Sequence, residues 1–113
     1  MMKPTVKLQL IGAALALACL PAFAESGNAE EGAKKALEKG CPACHGANGV
    51  SVSPVFPNLA GQNQDYLMAS LNHYKDGLRK NPIMLPQANG LSEKDIEDIA
   101  AYFASQHGLV VAE

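Results

Sequence analysis

The pentapeptide Cys41-Pro42-Ala43-Cys44-His45 constrains this chain more than any other feature of its sequence. Two cysteines three positions apart, followed directly by histidine, form the attachment motif of c-type haem. At this spacing the two thiols can reach the two vinyl groups of one haem and form thioethers. The imidazole that follows can then bind the iron. We therefore expect Cys41 and Cys44 to hold one covalent haem c, and His45 to be an axial ligand of its iron.

Three other uses of these cysteines remain open. A redox-active Cys-x-x-Cys pair normally accompanies a βαβ pattern, which the sequence lacks. A structural zinc site needs four ligands, and beyond this motif only His73 and His107 offer ring nitrogens. A disulfide between Cys41 and Cys44 would close too short a loop to restrict the unfolded chain much. Haem attachment is the interpretation that these patterns favour.

The N-terminal segment has the features of a signal peptide. Lys3 and Lys7 precede an uncharged apolar run over 8–20, and residues 22–24 read Ala-Phe-Ala, the small-residue pattern of a cleavage site. The apolar run is too short to span a bilayer core of ~30 Å as a permanent helix. We expect residues 1–24 to be a signal peptide that is cleaved after Ala24.

The remainder, residues 25–113, is predicted to be one exported, periplasmic domain. The whole chain has 113 residues with 9 Lys+Arg against 11 Asp+Glu, and two of the lysines leave with the signal peptide. This acidic balance argues against a nucleic-acid partner, which normally meets a basic face. So small a domain has a marginal core without a bound group. We expect no stable membrane insertion after cleavage, although a retained anchor or a lipid on Cys19 are alternatives.

Hydrophobic periodicity predicts an all-α domain with three main helices and no strand. The first covers about 29–39 and stops at Gly40, with an apolar face formed by Ala33, Ala36 and Leu37. The second begins near Asn63, and its core-facing stripe consists of Leu67, Leu71, Tyr74 and Leu78. The third follows Ser92 with Asp95 completing a capping box, and its apolar face consists of Ile96, Ile99, Ala100 and Phe103.

Two proline-containing loops, 46–62 and 79–90, separate these helices. Loops this long in a small domain are usually functional or wrap around a bound group. The second loop contains Met84 between Pro82 and Pro86, which stiffen the chain and hold the thioether without a helix. Met68 lies beside the stripe of the second helix, where methionine is usually core filler. Because His/Met is a standard ligand pair of haem c, we expect Met84 to be the second axial ligand.

With these features in place, the sequence resembles class I cytochromes c, especially short bacterial single-haem members and the halves of dihaem periplasmic cytochromes. The resemblance covers nearly all of 25–113. Beyond the attachment motif it rests on segments in the family's order: Pro57-Asn58-Leu59-Ala60-Gly61, Met84, Gly90-Leu91-Ser92 and Ile99-Ala100-Ala101-Tyr102-Phe103. It implies a small class I cytochrome c fold, with three main helices wrapped around one haem.

The resemblance also implies several contacts. The Pro57 carbonyl would accept a hydrogen bond from the imidazole of His45, which fixes its tautomer. Gly32 of the first helix would contact Tyr102 or Phe103 of the last. An apolar shell that raises the reduction potential would be formed by Leu59, Leu67, Leu71, Ile83 and Leu85.

The implied function is one-electron transfer through a low-spin haem, without enzymatic activity, because six-coordinate iron has no vacant position for substrate. The partners would be redox proteins that meet the haem edge in a small, short-lived contact. Two clusters, Lys34, Lys35 and Lys39 or Lys75, Arg79 and Lys80, either steer such a partner or are solvated faces. A haem subunit of a periplasmic oxidoreductase complex is the alternative function, and a ligand-binding haem sensor is a further one.

Overall fold

The computed structural model describes residues 27–108 and, before them, residues 2–5, 7, 9 and 12–14. Over these residues the chain contains no strand, and its helices are α1 (Ala29–Glu38), α2 (Cys41–His45), α3 (Gln64–Asp76), α4 (Met84–Asn89) and α5 (Glu93–Ser105). The all-α prediction is confirmed. The predicted cleavage site after Ala24, and Cys19, lie outside the described residues. No helix in the described part is long and apolar enough to cross a membrane.

The three predicted main helices are α1, α3 and α5, and each begins at a side-chain cap. Asn28 accepts the backbone N–H of Glu31 at the start of α1, and Asn63 accepts that of Tyr66 at the start of α3. The capping box predicted at the start of α5 is present. Such caps stabilise a helix because they pair backbone donors that the helix itself leaves free.

The structure corrects the sequence expectations at both proline loops and at two leucines. The attachment motif itself forms α2, and Met84 begins the helix α4 rather than lying in an extended loop. Pro86 falls in the first turn of α4, where a missing backbone N–H costs little. Leu37 and Leu78 are 73% and 77% exposed, so they do not belong to the core-facing stripes. Leu78 follows Gly77, whose φ of 76° ends α3 before the stripe reaches it.

The core forms where α1 crosses α5. A Cβ on Gly32 would clash with the backbone oxygen of Asp98 and would lie 2.8 Å from the Cβ of Tyr102, so only glycine allows this approach. The predicted contact with Tyr102 is present. Phe103 instead packs beside Gly49, in the loop that follows α2. The buried apolar cluster around the crossing consists of Ala36, Leu67, Leu91, Ile96, Ile99, Ala100 and Phe103.

A buried carboxylate joins the same two helices. Asp98 is 1% exposed and accepts hydrogen bonds from the Asn28 N–H at 2.8 Å, Lys35 Nζ at 2.7 Å and Lys94 Nζ at 2.9 Å. Burial alone would raise the pKa of Asp98, but the two lysine hydrogen bonds and the Asn28 N–H outweigh it and lower the pKa to about 2. Asp98 is therefore ionised and paired at neutral pH.

Candidate haem-binding site

A cavity of about 340 Å³ opens among α2, α3, α4, α5 and the loop after α2. The predicted attachment residues, the predicted iron ligands and two predicted neighbours of the haem all line it: Cys41, Cys44, His45, Met84, Pro57 and Leu59. Much of the remaining wall is apolar and includes Leu67, Leu71, Ile83, Ile99 and Phe103. Leu85, predicted for the apolar shell, does not line the cavity and is 40% exposed. It follows Met84 on α4 and belongs to the outer surface.

His45 is held in one orientation. Gly40, with φ 76°, turns the chain between α1 and α2, and His45 is the last residue of α2 and 8% exposed. Its Nδ1 lies 2.8 Å from the Pro57 carbonyl oxygen, the hydrogen bond that the resemblance implied. Since a carbonyl oxygen only accepts, Nδ1 donates this hydrogen bond, and Nε2 is the ring nitrogen left without it. A histidine that binds a metal through Nε2 usually donates a hydrogen bond from its other ring nitrogen in this way.

Cys41 and Cys44 lie one turn apart on α2, both half-buried and both with free thiols. Burial raises the pKa of the Cys41 thiol, and the neighbouring Cys44 adds to that shift. Cys41 is therefore a neutral thiol at pH 7. In the described part of the chain, His, Cys, Asp and Glu side chains form no group of three arranged to hold a metal ion.

The two methionines of the domain have different surroundings. Met84 lines the cavity, whereas Met68 is packed against the core cluster and does not line it. The backbone around Met84 is fixed by Asn81, whose side-chain oxygen accepts the N–H of Ile83 at 2.9 Å and of Met84 at 3.0 Å. Of the two thioethers, only that of Met84 shares a cavity with His45.

Asn81 is the residue of this region that sequence reasoning missed. It lines the cavity and caps the turn that leads into α4. The signal was present as Asn81-Pro82, because Asn is a preferred N-cap and Pro is preferred at the first helical position. The second proline, Pro86, concealed the helix by suggesting a rigid loop.

The cationic side chains of the two clusters named from the sequence differ in their surroundings. Lys35 pairs with Asp95 and Asp98, and Lys75 donates to the backbone oxygen of Leu91, so both have partners within the protein. Arg79 lines the cavity, with its guanidinium 4.7 Å from the centre of the Tyr74 ring. A cation fixed by an aromatic ring at a cavity wall suits an anionic group of a ligand.

The donor set of this cavity fits haem c. The two free thiols would provide the points of covalent attachment, and one imidazole nitrogen of His45 would be available for iron. Met84, which carries a thioether, lines the same cavity, and the apolar side chains suit a macrocycle.

Comparisons with known proteins agree with this chemistry. The cytochrome c family profile matches residues 29–107. The chain is 51% identical over 69 residues to cytochrome c-554(548) of Halomonas halodenitrificans, covering 58% of this chain and 83% of that protein. It is 48% identical over 81 residues to cytochrome c4 of Pseudomonas aeruginosa, covering 72% of this chain and 39% of that protein. It is 35% identical over 113 residues to the thiosulfate dehydrogenase electron acceptor of Stutzerimonas stutzeri, covering 88% and 52% respectively.

The fold has the same relatives. The crystal structure of reduced recombinant cytochrome c4 from Pseudomonas stutzeri superposes with a TM-score of 0.69 at 44% identity, over 75% of this chain and 48% of that chain. The chain thus spans about half the length, or less, of the cytochrome c4 proteins it matches, and most of the shorter cytochrome c-554(548). With the all-α fold, the attachment motif and the family match, this chain belongs to the cytochrome c family, whose cofactor is covalent haem c with iron.

Proposed function

We propose that this protein is a periplasmic one-electron carrier in which His45 and Met84 are the axial ligands of a single haem c. The observation that carries the proposal is the cavity itself. Both cysteines of the attachment motif, the buried imidazole of His45 with one anchored nitrogen, and Met84 all line this one cavity. Haem c, when attached, supplies an iron that gains and loses one electron.

Three features of the chain affect the reduction potential of the proposed haem. The soft sulfur of Met84 favours ferrous iron and so raises the reduction potential relative to harder ligands. The apolar wall, which includes Leu67 and Leu71, disfavours the additional positive charge of the ferric state and acts in the same direction. The hydrogen bond from His45 to Pro57 increases the basicity of the imidazole and keeps its ring in place.

With both axial positions taken by protein side chains, we expect no catalysis at the iron. The partners are redox proteins that approach the open side of the cavity. Val55 and Ile83 line the cavity and are 75% and 52% exposed, so they offer apolar surface at its edge. A contact of this kind is small and short-lived, which suits a carrier that must leave its partner after each electron.

Export is part of the proposal. Residues 1–24 act as a signal peptide cleaved after Ala24, and residues 25–113 form the periplasmic cytochrome domain. Mass spectrometry of the haem-loaded protein tests this directly. A mass of residues 25–113 plus one covalent haem supports it, and a chain that retains the first 24 residues contradicts it.

A second candidate is a haem subunit, or dedicated acceptor, of a periplasmic oxidoreductase. One relative is named as the electron acceptor of thiosulfate dehydrogenase, although this chain spans 52% of that protein. Reduction of the purified protein by a thiosulfate dehydrogenase plus thiosulfate, faster than by unrelated dehydrogenases, would favour this candidate. Purification in a stoichiometric complex with an enzyme would favour a subunit over a free carrier.

Absorption spectroscopy of the haem-loaded protein tests the main proposal. We expect a low-spin ferric spectrum with the weak far-red band of a sulfur–iron bond, and a reduced form that does not bind carbon monoxide rapidly. Rapid binding of carbon monoxide by the native protein would instead indicate an open position and a ligand-binding role. Absence of covalent haem would remove the basis of the proposal.

A further inference from the structure

The helix that carries Met84 has little packing of its own. α4 has six residues, of which only Ala88 is buried. Among the described helices it packs against α3 alone. Helices this short are not stable in water without tertiary support. The position of the Met84 sulfur must therefore depend on how the two ends of α4 are held.

At its C-terminal end, α4 is tied through the segment that leads into α5. Lys75 of α3 donates to the backbone oxygen of Leu91, and Lys39, after α1, donates to that of Gly90 at 3.3 Å. Leu91 is also buried in the core cluster. This end is thus held by two lysines and by packing.

At its N-terminal end, α4 is preceded by a turn in which Asn81 accepts the hydrogen bonds. Its side-chain oxygen accepts the backbone N–H groups of Ile83 and Met84, and its backbone oxygen accepts the N–H of Leu85 at 3.0 Å. Asn81 therefore caps the turn that leads into α4, in the way that an N-cap residue caps a helix, and Ile83 is the residue directly before α4. The bonds fix the backbone on both sides of Met84 and at Met84 itself.

We propose that Asn81 is a positioning residue for the axial methionine, which it holds toward the iron by capping the turn that carries it. The inference rests on the proposed His45/Met84 ligation. Without the side chain of Asn81, the first turn of α4 loses the acceptor of two N–H groups, and Met84 leaves the iron more often. The effect acts on the fraction of molecules with a free axial position, not on the covalent attachment at α2.

The chain contains a matched control. Asn63 caps α3 with the same kind of bond, from the Tyr66 N–H to its side-chain oxygen at 3.1 Å. α3 has 13 residues and contains neither proposed ligand. Asn63→Ala therefore removes a cap of the same chemistry and lowers helix stability, but it leaves the turn before Met84 intact. A positioning role for Asn81 therefore predicts that only its substitution changes the ligation of the iron.

The experiment compares haem-loaded wild type, Asn81→Ala, Asn81→Asp and Asn63→Ala. The readouts are the far-red band of the ferric form, the rate at which the reduced form binds carbon monoxide, and the denaturant midpoint. Because carbon monoxide binds only when Met84 is detached, its rate reports the detached fraction. For Asn81→Ala we expect a weaker far-red band and a rate about five-fold or more above wild type, the change expected for a lost cap.

The remaining variants decide the interpretation. Asn81→Asp keeps an acceptor of the same reach, so it should restore the band and the slow rate. Asn63→Ala should lower the midpoint while band and rate stay at wild-type values. Equal rates in Asn81→Ala and Asn63→Ala, or no rescue by Asp, would overturn the inference. A wild-type protein without the far-red band would overturn the proposed ligation instead, so the two failures are distinguishable.

If Asn81→Ala does not accumulate with haem, the pair Asn81→Gly and Asn63→Gly gives the same comparison. Glycine is tolerated at an N-cap but has no side-chain acceptor. Because glycine at an N-cap costs much less than alanine, we expect a smaller increase in the rate of carbon monoxide binding, about 1.5- to 2-fold, for Asn81→Gly only. An unchanged rate of carbon monoxide binding in Asn81→Gly would contradict the inference.

Discussion

The crossing of α1 and α5 and the short helix α4 are held in opposite ways. At the crossing, Gly32 brings two backbones into contact, and the buried carboxylate of Asp98 accepts three hydrogen bonds. α4 buries only Ala88 and relies on hydrogen bonds at its two ends. The packing at the crossing costs much free energy to disturb, whereas α4 carries the proposed ligand Met84 and has few contacts that hold it in place.

This difference separates stability from iron chemistry. Substitutions at the crossing should change the free energy of unfolding while the ligation of the iron stays the same. Substitutions in α4 should change the ligation with a smaller effect on unfolding. A substitution at the crossing that changes the ligation of the iron would show that the two regions are coupled.

Gly32→Ala should have the largest effect on stability. The added Cβ would clash with the Asp98 backbone oxygen and crowd Tyr102, so α1 and α5 must separate. We expect a loss of about 4 kcal/mol or more in unfolding free energy, measured by denaturant titration of the haem-loaded protein. Gly90→Ala is the control, because its Cβ would have only the Gln87 oxygen nearby, at 3.8 Å. Equal losses in both variants would contradict the close crossing.

Asp98→Asn should have the next largest effect, about 2 kcal/mol at pH 7, because it removes a buried charge that accepts from Lys35 and Lys94. The pKa of Asp98 is lowered from 3.8 to about 2 in the folded state, so its contribution is complete above the unfolded pKa. That contribution is lost as the pH falls through about 2.

Denaturant titrations at several acidic pH values measure this contribution. The wild-type protein should lose stability between pH 3.8 and about 2, and Asp98→Asn should flatten that slope. Glu31→Gln, which breaks the exposed pair with Lys34, is the control and should cost less than about 0.5 kcal/mol. An unchanged acid slope in Asp98→Asn would show that other carboxylates dominate acid unfolding.

Leu78→Ser should have the smallest effect, within about 0.5 kcal/mol, because Leu78 is 77% exposed beyond the end of α3. Leu67→Ala, in the same apolar periodicity but 7% exposed, should cost about 2 kcal/mol or more. Thermal or denaturant unfolding distinguishes the two. A large loss of stability in Leu78→Ser would show that Leu78 is part of the core after all.

The sequence predicts α1, α3 and α5 well because each combines a cap with an apolar face. The sequence-based predictions that were wrong failed for local reasons. The exposure of Leu37 is not visible in periodicity, since Gly32 and Ala36 already provide the contact with α5 and leave no room for a larger face. The helix α4 is hidden by its length and by Pro86. Leu78 is misassigned because the left-handed turn at Gly77 interrupts the register.

The site is predictable to a different extent. The short motif names Cys41, Cys44 and His45 by spacing alone, and all three line one cavity. The choice between Met68 and Met84 depends on which chain segment faces that cavity, which is a tertiary property. The pair Asn81-Pro82 signals a turn in the sequence, but the link between Asn81 and Met84 depends on the N–H groups that this turn presents in the structure.

The most direct test of the central claim compares the spectra of Met84→Ala and Met68→Ala in the haem-loaded state. Met84→Ala should lose the far-red band, bind carbon monoxide rapidly when reduced and have a lower reduction potential. Met68→Ala should keep all three properties and lose about 2 kcal/mol of stability through reduced packing against the core cluster. The reverse pattern, with the band lost only in Met68→Ala, would contradict the assignment of Met84 as the axial ligand.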